Sequence, residues 1–117
     1  MKLEAGMYVR HKPLLSSKYV KINKIKEIEE KENCLHIWLE DKDLITEKYL
    51  IKASYNIIDI LEVGDYVNGY YVEDVLKTFV NVAVGSNYFQ SPTIYEKDIK
   101  SIVTKKQFED MEYRIGE

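Results

Sequence analysis

The chain has 117 residues, 45% of them apolar, and a formal net charge of −3. A unit of about 55 residues is marginal on its own, so this length suits one domain or two half-size units packed together. There is no run of about 18 apolar residues and no basic start followed by a short apolar stretch, so a soluble, intracellular protein is expected.

Cys34 is the only cysteine, which rules out an intrachain disulfide and a cysteine-rich metal site. Residues 1–60 carry 11 Lys+Arg against 10 Asp+Glu, whereas 61–117 carry 6 against 10. Arg10, Lys12, Lys18, Lys21, Lys24 and Lys26 form a stretch without a carboxylate, and Glu27, Glu29, Glu30 and Glu32 follow it. Such a stretch is a solvated face or a contact for phosphates.

Leu3-Glu4-Ala5-Gly6-Met7-Tyr8-Val9 returns 58 positions later as Leu61-Glu62-Val63-Gly64-Asp65-Tyr66-Val67, which divides the chain into units 1–60 and 61–117. In the first unit, Met7–Val9 reads as strand one and Tyr19–Ile28 as a long β-branched strand two. The apolar phase of strand two shifts between Ile22 and Ile25, which predicts a bulge near Asn23-Lys24. Glu29–Asn33 is a polar turn, Cys34–Leu39 strand three, Glu40–Asp43 a turn and Leu44–Glu47 strand four. A helical turn near Tyr49–Lys52 leads into a fifth strand, Asn56–Leu61.

In the second unit, Asn68-Gly69 between Tyr66-Val67 and Tyr70-Tyr71-Val72 supplies the two positive φ values of a type I′ hairpin. Asp74-Val75-Leu76 continues that strand and Phe79–Val84 is the next. Gly85-Ser86-Asn87 turns into Tyr88-Phe89, Ile94–Ile99 parallels Tyr49–Lys52, and Lys100–Val103 closes the unit. Thr104-Lys105-Lys106-Gln107 has the pattern of a capping box opening a short helix with Phe108 and Met111 on one face, and Tyr113-Arg114-Ile115 returns as an edge strand. The expected fold is mostly β: two tandem small SH3-like β-barrel units of the Tudor or KOW type, with one short C-terminal helix.

Unit one spends Arg10–Lys18 where unit two needs only Asn68-Gly69. Closure does not require that length, so Leu14 and Leu15 either sit exposed among basic neighbours in a binding loop or fold back as a lid on the core.

Few residues point to catalysis. His11 and His36 are the only histidines, and Cys34-x-His36 shares a strand face without the further ligands that a metal needs. No spacing pairs a histidine with Ser16, Ser17, Cys34 or Ser54 as nucleophile and base. Asp41-x-Asp43 lacks the rest of a calcium loop, and there is no glycine-rich phosphate cradle. Neither enzymatic activity nor a cofactor is expected. The ten tyrosines suit strand ends, where a ring is buried and its hydroxyl reaches water. Trp38, Tyr70, Tyr71 and Tyr88 are candidate anchors for a partner, with Arg10, His11, Lys12, Leu14, Leu15, Lys18, Lys21 and Lys24 beside them.

The segments Asn56–Gly69 and Ile99–Glu109 resemble a pattern recurring in small accessory proteins of phages and prophages of Gram-positive bacteria. That resemblance carries no catalytic residue. It implies a protein of the host bacterial cytoplasm that binds and blocks a host protein, such as a CRISPR effector or another defence component. Asp65, Glu73, Asp74, Glu96 and Asp98 are candidates to imitate nucleic-acid phosphates. The alternatives are a nucleic-acid-binding module that uses the basic stretch 10–26, and a protein that sequesters a small signalling nucleotide between its units.

Overall fold

A computed structural model describes residues 2–14, 19–83 and 92–111. The chain divides into two units, Met1–Leu61 and Glu62–Glu117. Unit one contains β1 (Tyr8–His11), β2 (Lys21–Lys31), β3 (Cys34–Leu39), β4 (Leu44–Ile45), a 3-10 turn Glu47–Tyr49, β5 (Leu50–Ser54) and a second 3-10 turn, Ile57–Ile60. These strands form one five-stranded antiparallel sheet in the order β4-β3-β2-β1-β5. Unit two contains β6 (Tyr66–Val67), β7 (Tyr70–Val75), β8 (Phe79–Ala83), β9 (Thr93–Tyr95), a 3-10 turn Glu96–Asp98, β10 (Ile102–Val103) and α1 (Lys105–Met111). Its sheet is β10-β6-β7-β8-β9. Counted from its own first strand, each sheet has the same order, and in each a 3-10 turn precedes the last strand.

The repeated heptads build the same joint. Gly6 and Gly64 have φ of 93° and 100°, a region that L side chains enter only under strain. Gly6 N–H donates to Ile25 C=O at 2.8 Å and Ile25 N–H to Met7 C=O at 2.8 Å. In unit two, Gly64 N–H donates to Val72 C=O at 3.0 Å and Val72 N–H to Asp65 C=O at 2.8 Å. The register then shifts immediately after each buried residue, between Ile25 and Glu27 and between Val72 and Asp74. Lys26 and Glu73 are therefore equivalent bulges. The bulge expected at Asn23-Lys24 lies instead at Lys26, because Ile22 does not belong to the inner face. Ile22 is paired with Arg10, while Asn23 is paired with buried Val9.

The core of unit one is Met7, Val9, Ile25, Ile37, Leu39 and Ile45, with Leu3, Leu14, Ile28, Leu35, Tyr49, Leu50 and Ala53 packed against it. Burying each large aliphatic side chain contributes about 1.5–3 kcal/mol. Unit two buries smaller side chains, Val67, Val72, Val80 and Val82, with Val72 opposite Val82.

Several expectations are corrected. Neither sheet closes into a barrel among the described residues: β4 and β5 remain the two ends of the first ladder, and β9 and β10 those of the second. The fifth strand is Leu50–Ser54, and Ile57–Ile60 is a 3-10 turn. Ser54 causes that change, since its hydroxyl donates to Asp59 Oδ2 at 2.7 Å and accepts from Asn56 N–H at 3.1 Å, drawing the chain into a turn that buries Ile57, Ile58 and Ile60. The earlier helical turn is Glu47–Tyr49 rather than Tyr49–Lys52.

The Asn68-Gly69 hairpin has φ of 52° and 86°, and Glu32-Asn33, read only as a polar turn, is a second left-handed pair at 51° and 64°. Thr104 and Gln107 form a reciprocal capping box: Gln107 N–H donates to Thr104 Oγ1 at 3.4 Å and Thr104 N–H to Gln107 Oε1 at 3.3 Å. Leu15, Lys18, the Gly85–Phe89 turn with Tyr88, and the Tyr113–Ile115 strand lie outside the described residues.

Candidate functional site: the Trp38 face of unit one

β2, β3 and β4 present a row of directly paired residues: Glu27 opposite Trp38, and Trp38 opposite Leu44. All three are exposed, Trp38 by 37% and Leu44 by 40%. Beside them lies a cleft of about 360 Å³ lined by Lys26, Glu27, Trp38, Leu39 and Lys42. The bulge after Ile25 supplies two of these residues, because the extra position leaves consecutive Lys26 and Glu27 both exposed instead of alternating across the sheet.

On the same sheet, the Glu29 carboxylate accepts from Lys31 Nζ at 2.9 Å. The Lys31 hydrogen bond, with smaller contributions from the Lys31 and His36 charges and from Trp38, holds the Glu29 carboxyl below its ordinary value despite some desolvation.

Lys42 is carried by the turn between β3 and β4, in a left-handed conformation with φ of 76°. For a residue other than glycine that conformation costs about 1–2 kcal/mol, so other contacts must hold the turn. Asp41 does much of this. Its Oδ1 accepts from Asp43 N–H at 3.0 Å and its Oδ2 from Asn23 Nδ2 at 2.8 Å, with Lys21 Nζ 3.9 Å away. Burial raises the Asp41 carboxyl, but these hydrogen bonds and the Lys21 charge outweigh it and leave it below the usual aspartate range.

The Asn23 amide also lies 3.4 Å from Nε2 of His11, a ring that is fully buried. Nδ1 of that ring is 2.9 Å from Lys12 C=O, which can only accept, so Nδ1 carries the proton and Nε2 accepts from Asn23. A polar chain thus runs from His11 inside the sheet, through Asn23, to the turn that carries Lys42.

The other residues singled out in the sequence do not gather at one place. Arg10 and His11 are buried and are not a partner surface; Arg10 Nη1 donates to Ile60 C=O at 3.1 Å and ties the second 3-10 turn to β1. Lys21 and Lys24 are three apart on β2 and face opposite sides. Lys21 approaches Asp41, and Lys24 lies over the Tyr8 ring, 5.4 Å from its centroid. The basic stretch 10–26 is therefore not one stripe. Lys12 is exposed, and Leu14 is half-buried against the core instead of standing out from its loop.

In unit two, Tyr70 is exposed, and Tyr71 packs edge-on to Tyr66 at 5.6 Å. Among the acidic candidates, Asp65 is buried, with Oδ2 accepting from Glu62 N–H at 2.8 Å, and so cannot imitate a surface phosphate. Glu73 and Asp74 are exposed at the β7 bulge, and Glu96 and Asp98 sit in the 3-10 turn. Cys34 and His36 lie opposite Lys31 and Glu29, and no group of three or more His, Cys, Asp or Glu among the described residues is placed to hold a metal ion. No described helix is long and apolar enough to cross a membrane.

Glu27, Lys42 and Leu44 were not among the residues read as site candidates. Aligning the two units on their bulges finds Leu44. In unit two the positions equivalent to Trp38 and Leu44 are Asn81 and Thr93, also directly paired. Thr93 Oγ1 donates to Asn81 Oδ1 at 2.9 Å. The same fold position thus takes a satisfied polar pair in one unit and an exposed aromatic–aliphatic pair in the other. No family model, curated protein or solved structure matches the chain, so its own geometry carries the functional reading.

Proposed function

We propose that this protein is a non-enzymatic binding module that docks a partner protein through the Trp38–Leu44 face of unit one. The observation that carries the reading is the contrast between units: Asn81 and Thr93 occupy the equivalent positions, so folding does not require an exposed indole and leucine there. Exposed tryptophan with an aliphatic neighbour and a polar rim is the composition of an interface anchor. Each unit is a five-stranded antiparallel sheet with a 3-10 turn before its last strand, and we read it as an open variant of an SH3-like module. In the setting that the sequence resemblance implies, the partner is a host protein of the bacterial cytoplasm, such as a CRISPR effector or another defence component, and docking inhibits it.

The test is affinity capture from a bacterial host lysate with the natural protein and with the W38N/L44T variant, which installs the pair found in unit two. Retention of one protein in near-stoichiometric amount by the natural chain, and its loss with the folded variant, is the expected result. Equal capture by both would refute this surface.

A further inference from the structure

Building on that docking reading, we infer that the segment received at the Trp38 cleft is acidic: an apolar side chain covering Trp38 and Leu44, flanked by carboxylates that reach Lys26 and Lys42. The charges that line and border the cleft carry the argument. Glu29 accepts from Lys31, and Asp41 from Asn23 and Asp43 with Lys21 close by, so these two carboxylates near the cleft are already committed. Lys21, Lys24 and Lys31 are occupied by Asp41, Tyr8 and Glu29. Among the described residues Lys26 and Lys42 have no ion-pair partner, and both line the cleft with Trp38. Glu27 is the one carboxylate lining it, so the cleft carries two ammonium groups against one carboxylate. The Asp41 turn holds Lys42 at the rim in a left-handed conformation, and the bulge turns Lys26 toward the same cleft. Two structural devices, each with a local energetic cost, thus bring uncommitted cations to an exposed indole.

A polypeptide suits this surface better than a nucleic acid. Within the basic stretch Arg10 is buried, Lys21 is paired with Asp41 and Lys24 faces the side opposite to Lys21, so these three form no single track for a phosphate backbone, and the chain's net charge of −3 opposes a long polyanion.

Trp38 is the only tryptophan, so its emission reports on the cleft directly. The probe is the capped peptide Asp-Glu-Leu-Leu-Glu-Asp, compared with Lys-Lys-Leu-Leu-Lys-Lys and with an oligothymidylate. The acidic peptide is expected to shift Trp38 emission to the blue and saturate below about 1 mM. Raising the salt should weaken it. K26E/K42E should weaken it by roughly tenfold or more, equivalent to about 1.4 kcal/mol. K97E/K100E, with the same change of net charge in unit two, should leave it unaltered. Absence of saturation, stronger binding of the basic peptide or the oligothymidylate, or an unchanged response in K26E/K42E would overturn the inference. The two readings separate in lysate capture. A partner lost with W38N/L44T but kept at natural yield by K26E/K42E leaves the docking face standing and removes the acidic segment. A partner kept by W38N/L44T removes the docking face itself.

Discussion

Thr93 donates a hydrogen bond to Asn81 across β9 and β8, at 2.9 Å, in the second unit's equivalent of the place where Leu44 faces Trp38. Because one topology accommodates both pairs, exchanging them should leave the fold intact. W38N/L44T is expected to keep the natural far-ultraviolet circular dichroism spectrum and to lose no more than about 1 kcal/mol in urea unfolding, since both positions are exposed. A larger loss would mean that the indole holds unit one together.

Asp41 gives the protein an acid-sensitive turn. Its folded pKa is lowered, so its contribution to stability is present above the unfolded aspartate value of about 3.9 and disappears as pH falls through the folded value. The natural protein should therefore lose stability below about pH 4 more steeply than D41N. At neutral pH D41N should be less stable by at most about 1 kcal/mol, because Asp41 lies at the surface, where solvent screens its charge. Urea midpoints by circular dichroism at pH 7, 4 and 3 check both. Parallel pH profiles for the two proteins would contradict this role.

Gly6 and Gly64 are expected to be equally intolerant of a side chain, for a backbone reason. A Cβ at Gly6 would come no nearer than 3.8 Å to Tyr55, and one at Gly64 no nearer than 3.7 Å to Lys105. Space is available, and the strain comes from φ of 93° and 100°. G6A and G64A should each cost about 1–3 kcal/mol in thermal or urea unfolding. G69A, in the open at φ 86°, isolates the backbone cost at a hairpin.

The capping box predicts where α1 opens. T104A removes the oxygen that accepts from Gln107 N–H and should cost about 1 kcal/mol, with faster amide exchange at Gln107 and Phe108. Phe108 stacks on Tyr66 with ring centroids 3.7 Å apart, so the Tyr66 ring environment should change with it in aromatic NMR spectra. Unaltered exchange would show that the stacking alone holds the helix.

Much of the fold is legible in the heptad repeat, the Asn68-Gly69 hairpin, the Cys34–Leu39 strand and the Thr104 cap, because each depends on neighbours close in sequence. What misleads is tertiary. Ile57, Ile58 and Ile60 have apolar spacing compatible with a strand, and only the Ser54 hydroxyl bridging Asn56 and Asp59 decides for a turn. Ile22 breaks the phase of β2 because it lies opposite Arg10, while the inward place beside it, opposite Val9, is taken by Asn23, whose amide reaches the buried His11 ring, and a hydrophobic pattern does not register that polar pair. Trp38 was legible as a candidate, and it is exposed. Its companions were not, since Leu44 becomes its neighbour through strand register and Lys42 through a left-handed turn held by Asp41. Arg10, His11 and Asp65 look like surface charges in sequence and are instead buried polar groups with backbone partners.

The most direct test of the docking surface places a photo-crosslinking amino acid at Leu44 in one protein and at Tyr95 in another. Tyr95 is exposed by 51% in unit two. After irradiation in a host lysate, the Leu44 position should yield one dominant protein adduct and the Tyr95 position none. An adduct formed from Tyr95 and not from Leu44 would contradict the account.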